Sequence, residues 1–436
     1  MAKKLFFGML LSMALFGCVH NKPAEGTIDN TGADAKADSI ARAKADSLKA
    51  DSAMNYVVKK GYIDSLSSNV EALPAYEYPA GSPVAKWGKL KVAPNAKGVR
   101  CMCDANGNPV QLKGMSTHGL QWAGVANVTA RNIKALRNEW NCSVFRYALY
   151  VDEEGGYAYN PQFRNEILEK VVKWTAENGI YLLIDWHVHK PGNPNAPQYR
   201  CHPTNGRDLA GDFFTYCSRR YANMKHIIYE VCNEPNWHYE GGPGVDWTTQ
   251  IKPYCEEMLE IIRSNDKDVI VVCGTPWWSS CPELVLGNEV ADKNGKPYEN
   301  VMYTFHFYSA THNDGRLADQ PGNHRPDNFF KKMAEGDPEK GEKSVLELLP
   351  IFVTEWGTTE ASGWHEFRPD LTDIWMDILD GGNSGGQLVS WCNWSFSAEG
   401  GVCGALNWNT GKISPMDPEI LTESGKYVFK RLHGKK

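Results

Sequence analysis

The chain has 436 residues, 42% hydrophobic and 22% charged, which is enough to bury a large core in one big domain or two ordinary ones. A net charge of −6, mixed in sign along the chain, argues against nucleic acid as a partner. The informative excess is aromatic, 15 Trp and 19 Tyr, because a groove that stacks on flat ring-shaped ligands uses such faces while core filling accounts for the others.

Residues 1–18, "MAKKLFFGMLLSMALFGC", carry Lys3 and Lys4 before an apolar run too short to span a bilayer with these flanks. Gly17 directly before Cys18 resembles the bacterial lipobox, so Cys18 is the expected lipidation site, with ordinary secretion as the alternative that Phe16 leaves open. Val19 favours the outer membrane, giving a cell-surface or outer-membrane lipoprotein whose only membrane contact is the lipid anchor. Export permits disulfides, and Cys201 with Cys217 or Cys273 with Cys281 are candidate pairs. An odd eleven cysteines remain after Cys18, and their connectivity is not readable from spacing.

Residues 19–96 read as tether and linker. "ADAKADSIARAKADSLKADSA" holds almost no large apolar groups, so it is a disordered or partly helical spacer rather than a core-forming segment. The folded unit is expected over 97–433. It opens with a β-hairpin about Asn106-Gly107 in "VRCMCDANGNPVQLKG". Eight apolar runs follow: "VQLKGMST", "CSVFRYALY", "GIYLLIDWH", "HIIYEVCNE", "DVIVVCGT", "VMYTFHFYS", "LPIFVTEWG" and "GQLVSWCNW". Amphipathic stretches such as "NPQFRNEILEKVVKWTAENG" separate them. Near-continuous apolar strands alternating with helices imply a parallel sheet covered on its outer face, and eight of them imply a closed (β/α)8 TIM barrel of the α/β class.

Reacting groups of such barrels sit at the carboxyl ends of the strands. Here those ends carry His118 and Trp122, Arg146 and Tyr150, Asp185 and His187, Asn233 and Glu234, Trp277 and Trp278, His306 and Tyr308, Glu355 and Trp356, and Trp391 and Trp394. Two carboxylates facing each other among stacking aromatics is what glycoside hydrolysis needs: one protonates the leaving oxygen, the other attacks or stabilises the anomeric carbon. Glu230 shares strand parity with Glu234 but lies mid-strand, where a charge survives only if paired, so it reads as structural.

The motifs "LKGMSTHGLQW", "VFRYALY", "LLIDWH", "IIYEVCNEPN", "YTFHFYSATH", "PIFVTEWGT" and "SWCNWS" occur in that order. With them the sequence resembles glycoside hydrolase family 5, the cellulase family, most closely its bacterial endoglucanase subgroup, over roughly 97–430. The resemblance implies Glu234 as acid/base and Glu355 as nucleophile, with Arg146 and Tyr308 supporting the nucleophile. It implies Asn233 as a donor to the sugar 2-hydroxyl and His306 as the histidine beside both carboxyls. His118 and His187 are implied to bind substrate hydroxyls, and Trp122 and Trp394 to stack on the non-reducing side, with Tyr150 nearby. One departure stands out: where many relatives carry Lys after "NWS", this chain reads "NWSFSAEGG", with Glu399 near that place.

The reading is therefore an endo-acting, retaining β-1,4-glucanase without metal or cofactor, acting as a monomer on a β-glucan. Mixed-linkage glucan, xyloglucan and mannan are alternative substrates. Retention requires the two carboxyls roughly 5 Å apart, inversion nearer 9 Å. A metal-dependent hydrolase using His187, His189, His202 and His306, and a non-catalytic surface sugar-binding lipoprotein, are the rival readings.

Overall fold

The eight apolar runs become one closed sheet, because each is too apolar to expose either face and parallel neighbours satisfy its backbone groups on both sides. In the computed structural model the described residues are 70–121, 123–203, 206–236, 245–313, 331–337, 339–399, 401–408 and 419–435. The signal segment with Cys18, most of the tether, and Trp122 lie outside them.

Strands β1 (Lys91–Pro94) and β2 (Arg100–Cys103) pair antiparallel. The barrel strands are β3 (Lys113–Ser116), β4 (Val144–Tyr150), β5 (Tyr181–His187) and β6 (Ile227–Glu230). They continue with β7 (Val271–Cys273), β8 (Val301–Tyr308), β9 (Ile351–Gly357) and β10 (Ser390–Asn393). Their order is sequential and closes where β10 pairs with β3, every pairing being parallel.

The outer layer is built by helices such as Pro161–Asn178, Leu209–Arg220 and Lys252–Asn265, whose apolar faces cover the strands. Trp186 of β5, for example, points outward onto Phe213, 4.9 Å between ring centres. Local sequence sets the helix ends. The Thr129 hydroxyl accepts the Asn132 N–H at 3.2 Å to start Ala130–Asn138, and Gly179, at φ +62°, stops Pro161–Asn178.

Inward-facing residues form two layers. The lower one is apolar: Val144, Leu183, Ile228, Val272, Met302, Phe352 and Cys392 pack with Leu90, Met102, Val110 and Leu112. The last four come from the hairpin and its flanks, so the β1–β2 unit plugs the amino end of the barrel. The upper layer is polar and belongs to the candidate site.

Three expectations need correction. The paired hairpin turns at 95–99, not at Asn106-Gly107, where there is a tight turn but only a single bridge, Cys103 to Pro109. That second turn is organised by the Asp104 carboxylate, which accepts the N–H groups of Asn106 (2.8 Å) and Asn108 (2.9 Å). The folded unit also begins before 97. The Leu73 N–H donates to the Arg220 carbonyl at 2.8 Å, the Tyr78 hydroxyl bonds His226 Nδ1 at 2.9 Å, and Val84 and Leu90 are buried. Finally, the eleven cysteines after Cys18 are buried thiols, and neither the Cys201–Cys217 nor the Cys273–Cys281 bridge is formed.

Gly114 and Gly98 separate two reasons for a glycine. A Cβ on Gly114 in β3 would lie 1.8 Å from the Val144 carbonyl oxygen of β4, whereas one on Gly98, at φ +80°, would meet nothing within 4 Å. Gly114→Ala should therefore cost at least ~3 kcal/mol by forcing two strands apart. Gly98→Ala should cost only the ~1–2 kcal/mol of a left-handed backbone. Urea unfolding of the two variants checks the contrast.

Candidate active site

The upper layer is organised by one side chain. Arg146, on β4, has no solvent exposure and meets three carboxyls. Its Nε donates to Glu230 at 2.7 Å, one terminal nitrogen donates to Glu355 at 3.0 Å, and the other pairs with Asp185 at 2.8 Å. That last nitrogen also donates to Asn233 Oδ1 at 2.6 Å. Burial alone would favour loss of the Arg146 proton, but the charges of Asp185, Glu230 and Glu355 outweigh it and hold the guanidinium well above its usual range.

Burial acts the other way on the acids. It pushes Asp185 and Glu230 up to about 8 each, Arg146 opposing the rise in both. Glu230 is thus paired, as expected of it, although it is the last residue of β6 rather than a mid-strand one, and Asp185 joins it as a residue the sequence reading placed on the rim without a role.

Glu355 lies near the end of β9 and Glu234 just beyond β6. Both Glu355 oxygens accept, one from Arg146 and the other from the Tyr308 hydroxyl at 2.7 Å. Glu234 is held differently: its Oε1 meets His306 Nδ1 at 2.9 Å, and its pKa is raised well above the ordinary value by burial first and by the Glu355 charge second. One oxygen of each carboxyl and a ring nitrogen of His306 lie within 4.8 Å of one another. Burial, then Arg146, pushes the His306 pKa well down, so the ring is neutral.

A bulge on β9 makes this possible. Thr304 of β8 pairs with Phe352, but His306 pairs with Glu355, so β9 has one residue more than its neighbour over that step. Both Thr354 and Glu355 then reach the interior. The Thr354 hydroxyl donates to Glu230 at 2.7 Å and meets His306 Nε2 at 2.8 Å, linking the two glutamates of the fourth barrel strand and the turn after it. Strict alternation conceals Thr354, which is why the sequence reading missed it.

The remaining expected residues form an aromatic wall. His187 stacks on Tyr150 at 4.1 Å and on Trp394 at 5.5 Å, and His118 lies 5.1 Å from Trp394. The His187 Nδ1 contacts Asp185 at 2.6 Å while its Nε2 faces the Asn233 amide nitrogen at 3.3 Å. Both ring nitrogens of His187 and of His306 are therefore engaged by the protein, which does not fit the rival four-histidine metal site. Asn233 is buried, and its amide nitrogen also donates to the Val188 carbonyl at 3.2 Å. Glu399 pairs with His118 at 3.1 Å, so the residue standing where relatives carry Lys is turned onto the rim histidine.

Comparison with known proteins decides the family. Residues 103–400 match the family described as Cellulase (glycosyl hydrolase family 5). The chain belongs to glycosyl hydrolase family 5. This family 5 member is 33% identical to an endoglucanase of Clostridium saccharobutylicum over 80% of its own length and 65% of that protein. It is 33% identical to cellulase CelDZ1 of a Thermoanaerobacterium species, over 80% of this chain and 82% of that one. The catalytic domain of Thermobifida fusca endoglucanase Cel5A, solved in complex with cellotetraose, superposes with a TM-score of 0.65. It is 29% identical, over 81% of this chain and all of that one. The first curated relatives are longer proteins, of which the chain spans 40% to 65%.

The buried titrations fix a sign for stability against pH. Asp185 and Glu230, raised to about 8, bind protons in the folded state that the unfolded chain has already released, so they lower stability as pH rises towards 8. His226, fully buried and pushed down to about 3 by that burial, raises stability with pH only up to the unfolded histidine value near 6.5. Between about 6.5 and 8 the Asp185 and Glu230 carboxyls, with Glu153 raised to about 7 by burial, continue to lower it. The melting temperature should fall across that window, and scanning calorimetry in buffers of constant ionic strength checks it.

Proposed function

We propose that this family 5 hydrolase is an endo-acting, retaining β-1,4-glucanase, with Glu355 as nucleophile and Glu234 as acid/base. The observation that carries the reading is the pair of carboxyls itself, with oxygens within 4.8 Å of each other and of His306, but in opposite electrostatic settings. That spacing fits a covalent mechanism rather than the wider gap that admits a water for inversion.

In the first step a Glu355 oxygen attacks the anomeric carbon as the glycosidic C–O bond breaks, and the Glu234 proton passes to the departing oxygen. Arg146 and Tyr308 hold the attacking carboxylate in place through its two oxygens. In the glycosyl-enzyme Glu355 is a neutral ester, so one of the charges that raised Glu234 has gone. Glu234 then becomes the better base, takes a proton from water, and the resulting hydroxide equivalent attacks the same carbon to release Glu355. The wall of Tyr150, His187, Trp394 and His118 offers a stacking surface on one side of this centre.

A β-1,4-glucan is the substrate supported best, since the relatives bear the names endoglucanase and cellulase and the superposed catalytic domain holds cellotetraose. Glu234→Gln should lower kcat on cellohexaose by about 10³-fold, within the usual range for a lost general acid, and leave binding by calorimetry intact. Following the first-formed anomer by NMR should give the β product; an α product would remove Glu355 from the nucleophile role.

The export reading rests on the amino-terminal segment alone. With Cys18 as its anchor, the protein would act as a monomer at the cell surface, held off the membrane by the Ala-Lys-Asp-Ser tether. Cys18→Ala should move the expressed protein from the detergent phase to the aqueous phase in detergent partitioning, without altering hydrolysis of soluble glucan.

A further inference from the structure

The loop after β9 carries an aromatic residue that the sequence reading passed over. Trp364 is 59% exposed. A single exposed aromatic is ordinary on a protein surface. This one is mounted. The Glu360 carboxylate accepts the backbone N–H groups of Ser362 (2.7 Å), Trp364 (3.0 Å) and His365 (3.0 Å), and the Ser362 hydroxyl at 2.6 Å. The turn is wound around one side chain.

The ring is seated as well. A Cβ on Gly401 would come within 2.6 Å and 2.8 Å of the Trp364 ring atoms Cε3 and Cδ2, so the indole approaches as closely as it does only because residue 401 has no side chain. Gly401 also sits at φ +67°, which suits glycine independently.

Its loop is tied to the wall of the candidate site. The Gly363 carbonyl accepts the Cys403 N–H at 2.9 Å. Cys403 packs in one cluster with Tyr150, Tyr308 and Trp394, and its thiol donates to the Trp394 carbonyl at 2.9 Å. The strap that supplies Gly401 follows Glu399, the partner of His118. Trp364 is therefore tied through one backbone hydrogen bond to the wall beside the two carboxyls. A ring already fixed in place loses little freedom when a ligand stacks on it.

We infer that Trp364 is the stacking platform of a further glucosyl subsite on the non-reducing side, beyond Trp394. The inference rests on the proposed glucanase activity. It makes the cleft longer than the reacting centre requires and sets a preference for chain length.

The test uses reducing-end-labelled cellohexaose and cellotriose with the full protein, Trp364→Ala and Trp364→Phe. In the Ala variant the ratio of kcat/KM for the hexaose to that for the triose should fall about five- to tenfold, and the Phe variant should retain most of it. Cleavage of the labelled hexaose should move towards its non-reducing end, because registers that fill the distal position lose their advantage. An unchanged ratio, or cuts moving towards the label, overturns the subsite. A second measurement is calorimetric binding of cellohexaose to Glu234→Gln with and without Trp364→Ala, where a five- to tenfold weaker affinity is expected and equal affinity overturns the inference. If the unaltered protein leaves cellohexaose intact, the glucanase reading itself falls, and the subsite with it.

Discussion

A guanidinium with no access to water holds the catalytic end of this barrel together. Arg146 sits among Asp185, Glu230 and Glu355, three acids for one cation. No arrangement of that kind is stable with every acid charged, since desolvation penalises each ion and the acids repel one another. The burden is distributed unevenly. Glu355 accepts from both Arg146 and Tyr308, while burial pushes Asp185 and Glu230 up to about 8. Burial first, and the Glu355 charge second, raise Glu234 across the gap. In the proposed mechanism the two glutamates differ because one faces Arg146 and Tyr308 and the other is buried against His306.

The bulge on β9 is the backbone counterpart of that arrangement. A regular strand would bring either Thr354 or Glu355 to the interior, not both. The extra residue between Phe352 and Glu355 gives Glu355 to Arg146 and Tyr308 while leaving Thr354 to bridge Glu230 and His306. Irregularities of this type concentrate next to active sites because they re-aim side chains without breaking the sheet.

Most of the architecture was legible because it rests on periodicity. The eight apolar runs, with helical stretches between most of them, left one economical solution, and the strand ends then named Glu234, Glu355, Arg146, His306 and Tyr308 together. What escaped depended on facts with no one-dimensional trace. Thr354 was hidden by the loss of alternation at the bulge, and Asp185, though placed on the rim, had no role there because its partner Arg146 is distant in the chain. The hairpin was placed one turn late because "NG" is a strong local signal, whereas the actual turn around Gly98 is fixed by where Met102 and Leu112 must point. Trp364 lies on a loop whose shape is dictated by a single carboxylate, Glu360, and spacing does not reveal such a turn. The pairing of Glu399 with His118 joins residues 281 apart in the chain.

The hairpin that closes the amino end of the barrel has a consequence for turnover. Among the described residues the interior below Arg146 is apolar, filled by Met102, Leu112, Val144, Leu183 and Phe352, so that side offers the acid cluster no polar route to solvent. A glucan chain lying across the mouth would cover the acid cluster from above, so the water that the second step consumes would have to enter from that side too, once the departing portion of the chain has left.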